Sequence, residues 1–65
     1  MLKQLRLDKN KYASTLELAY RSRKTVEEIE NMAAAGELPG AIRLPGYGWA
    51  VDRVAAEQFI EEVTA

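Results

Sequence analysis

Residues 25–39 read TVEEIENMAAAGELP, and this stretch decides the fold. Thr25 is a capping residue, and Glu28 stands three positions on, where its side chain can reach back to complete a capping box. Gly36 ends the segment, because the left-handed backbone that closes a helix is easiest for glycine. Between these marks Val26, Ile29, Met32 and Ala33 recur at helical spacing and predict a buried face. Glu27, Glu28, Glu30, Asn31, Ala34 and Ala35 make up the other face. What that polar face touches sets the function.

Working back from Thr25, Arg21, Ser22, Arg23 and Lys24 interrupt an earlier apolar pattern. That pattern opens at Ser14, with Glu17 three residues later as a second capping-box signature, and Leu16, Ala19 and Tyr20 give the expected buried stripe. Two short capped helices joined this tightly form a helix-turn-helix candidate whose second helix is presented to a groove. Ahead of them, residues 1–11 are basic. Leu5 and Leu7 alternate with Gln4 and Arg6, so either a short strand or an extended arm fits, and a strand could add to a hairpin further on.

Working forward, Pro39 and Gly40 forbid further helix. Residues 41–44 and 49–51 form two short β-like segments around Pro45, Gly46, Tyr47 and Gly48. Ile42 and Leu44 share one face of their strand, as Trp49 and Val51 do of theirs, so the expected hairpin closes its apolar side over the helices. Asp52 caps a last helix in which Ala56, Phe59, Ile60 and Val63 fall on one face. The expected fold is therefore α+β and mostly α, with three short helices and a two-stranded hairpin after the second.

Composition narrows the function classes. A chain of 65 residues has room for one domain, and folding hides only about 60% of its surface, which leaves little for a deep cleft. Cysteine and histidine are both absent, which excludes thiolate or imidazole metal sites, cysteine nucleophiles and histidine triads. No nucleophile and base stand together, so no enzyme, cofactor or metal is expected. The sequence carries no long apolar run or signal-peptide pattern, and a cytoplasmic protein without membrane contact is expected.

Nine basic residues face ten acidic ones, for a formal charge of −1. Their order is uneven. Lys3, Arg6, Lys9, Lys11, Arg21, Arg23 and Lys24 precede Thr25 with only Asp8 and Glu17 among them. After it stand Glu27, Glu28, Glu30, Glu37, Asp52, Glu57, Glu61 and Glu62, against Arg43 and Arg53. Such polarity can serve an anionic partner on one surface while the total stays near zero.

The order helix, turn, helix, Gly36-Glu37-Leu38-Pro39, hairpin with Trp49, helix resembles the small winged helix-turn-helix DNA-binding domains of phage excisionases and MerR-like regulators. The resemblance covers residues 12–63, a winged helix-turn-helix domain, behind the arm or strand of residues 1–11. It implies that the second helix enters the major groove of double-stranded DNA and that the hairpin, as a wing, lies against the backbone or minor groove. It implies a factor that binds attachment-site DNA beside an integrase and favours excision, with cooperative self-association on DNA. A small transcriptional regulator of the same fold is the alternative. A module that sets acidic helices against a basic protein partner, such as an integrase, is another.

Carried over by position, the resemblance places Thr25 at a capping residue that also reaches a phosphate, and in the DNA-binding reading Arg21, Arg23 and Lys24 hold phosphates at the start of the second helix. Glu27, Glu28 and Asn31 fall on its DNA-facing side, and Arg43 with Tyr47 on the wing. Trp49 matches the tryptophan that sits inside the hairpin, and Arg53 the basic residue opening the last helix. The chain departs from the pattern at Tyr47 and Ala50, where basic residues are common, and at residues 21–24, which replace an apolar, glycine-containing turn. The three glutamates at the helix start oppose phosphate binding. A carboxylate can nonetheless accept from cytosine, and near a helix N-terminus it gains about 0.3–1 kcal/mol.

Overall fold

The computed structural model describes residues 7–65. In chain order it has β1 (Tyr12–Ser14), α1 (Thr15–Ser22), α2 (Val26–Ala34), β2 (Ala41–Leu44), β3 (Gly48–Asp52) and α3 (Arg53–Thr64). The fold is α+β, three helices on a three-stranded antiparallel sheet of order β1-β3-β2. No helix among the described residues is long and apolar enough to cross a membrane.

Local chemistry sets the helix boundaries. Ser14 Oγ accepts from Glu17 N at 3.0 Å to start α1. The Glu17 carboxylate, expected to reach back to Ser14, instead engages Arg21 and Arg53. At α2 the capping box is complete: Thr25 Oγ1 accepts from Glu28 N at 3.0 Å, and Glu28 Oε1 accepts from Thr25 N at 2.9 Å. Its far end closes with Gly36 at φ 76°, Glu37 N donating to Met32 O and Gly36 N to Ala33 O. The Asp52 carboxylate caps α3 by accepting from Ala55 N.

The core is built from Ala13, Leu18, Ala19, Ile29, Ala33, Leu38, Val51, Ala56, Phe59 and Ile60, with Val26, Met32, Ala41 and Trp49 packed against it. The face of α2 that carries Val26, Ile29, Met32 and Ala33 turns inward as its periodicity indicates. On α1 the stripe differs from the expected one. Leu18, Ala19 and Ser22 are buried, whereas Leu16 and Tyr20 remain 69% and 85% exposed. Two apolar stripes are available on this helix, and the one that places small Ala19 and Ser22 inward lets α2 and α3 approach. Ser22 Oγ satisfies itself by donating to Leu18 O. On α3 the stripe holds through Ile60 and then loosens, with Val63 41% exposed.

The sheet corrects two further expectations. Its third strand is Tyr12–Ser14, bonded to β3 with Ala13 opposite Val51. Residues 9–11 form a turn, with Lys11 N and Tyr12 N both donating to Asp8 O. The alternation of Leu5 with Gln4 and Arg6, and the arm over residues 1–6, lie outside the described residues. In the hairpin, Ala41 pairs with Val51, Ile42 with Ala50, Arg43 with Trp49 and Leu44 with Gly48. Facing partners share a side of the sheet, so Ile42 and Leu44 lie on the side opposite Trp49 and Val51. The Val51 side packs on the core cluster through Ala41, Trp49 and Val51, with Arg43 exposed at its outer end. Ile42 is left 38% exposed. Trp49 sits half-buried at the core's rim rather than within it.

Gly40 allows β2 to start. At φ 79° a Cβ there would stand 2.6 Å from the Ala55 Cβ and 3.2 Å from the Asp52 Cβ. Only glycine admits this approach of the chain to the first turn of α3.

Candidate nucleic-acid interface

Five of the described basic residues separate into two groups. Arg21 and Arg53 belong to a ring of ion pairs on the α1–α3 side. Arg21 forks onto Glu57 at 2.7 and 2.8 Å and also meets Glu17 at 3.0 Å. Arg53 forks onto Glu17, meets Glu57, and donates to the carbonyls of Lys9 and Tyr12. The paired guanidiniums hold the Glu57 carboxyl at about 2, and hydrogen bonding from Arg53 lowers that of Glu17. Arg21, assigned above to a phosphate, thus has its guanidinium committed to two carboxylates.

Arg23, Lys24 and Arg43 form the second group, and among the described ion pairs none of them takes a carboxylate. Arg23 and Lys24 lie in the turn between α1 and α2. Lys24 N and Arg23 N donate to Ala19 O and Tyr20 O, closing α1. This closure places Arg23 at φ 60° and ψ 36°, the left-handed region, and it is the sole non-glycine residue there among those described. The position corresponds to the glycine that commonly ends such a helix, which an arginine fills at a cost.

Thr25 follows at once as the N-cap of α2, exposed and holding Glu28. Hydrogen bonds from the Thr25 backbone and side chain lower the Glu28 pKa, with nearby Lys24 adding to the effect. Glu28 is therefore an ionised part of the cap, so of the three glutamates only Glu27 and Glu30 have free carboxylates among the described contacts. Glu27 and Asn31 are exposed, one turn apart on the same side of α2.

Arg43 is exposed on β2, and its guanidinium carbon lies 5.7 Å from the centroid of the Trp49 ring directly opposite. Tyr47 is 40% exposed at the hairpin turn. It stands apart from α2: Tyr47 lines a groove with Leu7, Tyr12, Leu16 and Tyr20, which gathers all three tyrosines of the chain.

Sequence reading misses the Arg43–Trp49 stack and the ion-pair ring. The stack has a usable signal, a cation six residues before the tryptophan across a glycine turn. The Arg53–Glu17 contact spans 36 residues and has none. A scan of protein-family models and searches of curated proteins and of solved structures find no match to this chain.

Proposed function

We propose that the chain is a small winged helix-turn-helix protein that binds double-stranded DNA, of the excisionase type, with α2 as the groove-reading helix and the β2–β3 hairpin as the wing. The observation that carries this reading is Arg23. A left-handed position that glycine fills more cheaply holds an exposed arginine at the mouth of α2, without a carboxylate partner among the described residues. Departures of this kind, where local stability is given up, concentrate at functional sites.

In this reading Arg23 and Lys24 neutralise phosphates beside the Thr25 cap, and the positive end of the α2 dipole adds to their pull. Asn31 reads a base edge and Glu27 accepts from a cytosine amino group on the same side of the helix. Arg43 reaches the backbone from the wing. Arg21 is left out of the contact set because Glu17 and Glu57 hold it. Three phosphate contacts make a weak binder, which fits a factor that works beside an integrase or a neighbouring copy on attachment-site DNA.

Gel retardation at low salt with a duplex carrying an attachment or promoter region tests the proposal. The wild-type chain should shift it, with a log-log salt slope of about −2.7 for three neutralised phosphates. Exchanging Arg23 and Lys24 for glutamate should abolish the shift and leave the circular dichroism spectrum unchanged. A wild-type chain that retards no duplex at low salt rules the reading out.

A further inference from the structure

Arg43 and Trp49 face each other across the hairpin in directly opposed register. The guanidinium lies over the indole, 5.7 Å from its centroid, within the range of cation–π attraction. Trp49 is itself anchored, half-buried and packed against the core cluster. The arginine therefore rests on a ring that the fold fixes.

From this stack we infer that Trp49 is a positioning residue for nucleic-acid binding: it presets the Arg43 guanidinium on the wing so that its N–H fork meets a backbone phosphate. The inference rests on the DNA-binding reading above. A stacked guanidinium keeps its in-plane N–H groups free, so stacking on Trp49 and forked bonding to a phosphate do not compete. An arginine swinging free at an exposed strand would lose rotamer freedom on binding, and the contact with Trp49 removes part of that loss beforehand. Lysine cannot replace it, having neither a planar face to lay on the ring nor a fork to offer the phosphate.

Trp49 is the one tryptophan in the chain, so its fluorescence reports the contact directly. Acrylamide quenching of the free protein should rise by roughly half or more on Arg43→Ala, because the guanidinium covers one ring face. Quenching that stays at the wild-type level overturns the inference, and this measurement needs no change at Trp49. Duplex affinity at low salt is then measured for Arg43→Ala, Trp49→Leu and the double variant. Arg43→Ala should weaken binding about tenfold in the wild-type background and less than about twofold in the Trp49→Leu background, a coupling of about 1 kcal/mol. Trp49→Phe should restore most of the Arg43 effect, since a ring face remains, and the quenching measurement decides by itself should the leucine variant unfold. Additive losses in a chain that binds DNA overturn this inference alone. A wild-type chain that shifts no duplex overturns the DNA reading and this inference with it.

Discussion

The Arg53 guanidinium forks onto both carboxylate oxygens of Glu17, at 2.7 and 3.1 Å, joining the first turn of α3 to the first turn of α1. The same side chain donates to Lys9 O and Tyr12 O and so ties the segment before β1 to the domain. Arg53→Ala removes all of these at once. A loss of about 1–2 kcal/mol is expected, since the pair is partly exposed and the backbone bonds carry much of the effect. In a domain of this size that corresponds to a fall in thermal midpoint of roughly 5–15 °C. Arg53→Lys should recover less than half, because an ammonium cannot fork. A midpoint within about 2 °C of wild type for Arg53→Ala would count against the contact.

Acid should weaken the same ring. Glu57 ionises at about 2 in the folded chain against 4.5 as its ordinary value. Its folded pKa is lowered, so its contribution is complete above about pH 4.5 and fades as pH falls through about 2. Glu17 is lowered by the same arginines and acts in the same direction. Thermal midpoints taken between pH 5 and pH 2 should drop more steeply for the wild type than for Glu57→Gln. At 1 M salt, where screening acts over about 3 Å, the difference should shrink. Parallel profiles for the two proteins would show that the ring gives no such protection.

Two glycines with nearly equal φ should respond differently to alanine. Gly36 and Gly40 sit at 76° and 79°, but a Cβ on Gly36 meets nothing within 4 Å, whereas on Gly40 it collides with Ala55 and Asp52. Gly36→Ala should cost about 1 kcal/mol, from backbone strain alone. Gly40→Ala adds overpacking and should cost about 2–4 kcal/mol. That approaches the whole stability of a domain this small. Urea denaturation of both variants gives the comparison, and equal costs would mean that the close approach at residue 40 is easily relieved.

Arg23→Gly should exchange binding for stability. Glycine at φ 60° relieves left-handed strain, and a gain of about 0.5–1 kcal/mol in urea denaturation is expected. The same variant should weaken duplex binding and lower the magnitude of the salt slope by about 0.9, one phosphate's worth. A variant that gains stability and keeps its full salt slope would remove Arg23 from the proposed interface.

Much of the fold is legible in the sequence where the cause is local. Thr25, Ser14 and Asp52 are readable as caps because a cap acts within three residues, and Gly36 as a stop for the same reason. The inward face of α2 is readable because only one stripe on it is apolar. On α1, Leu16 and Tyr20 are as apolar as the residues that go inward, and the choice falls to fit against α2 and α3, which no local pattern encodes. The hairpin's inner side escapes such reading because register, set by pairing of Arg43 with Trp49, decides which strand face turns in. At the candidate site, residues 23–25 can be found from their place before a capped helix. Arg21 carries the same charge in the same run, and only the distant Glu57 distinguishes it.

The strand order β1-β3-β2 has a consequence for how the chain acquires its shape. β3 is the shared neighbour, and it is the last strand to be made. Tyr12–Ser14 must wait for residues 50–52, and the arginine that fastens it follows immediately at 53. The helix pair α1–α2 can form early from neighbouring residues, but the sheet is a late closure over a long span, slower because distant segments must meet. A nascent chain that stops at Leu44 holds two helices and two strands with nothing between them; Gly48–Asp52 joins the two strands, and the protein becomes a single cooperative unit only when Ala56, Phe59 and Ile60 of α3 follow to complete the core.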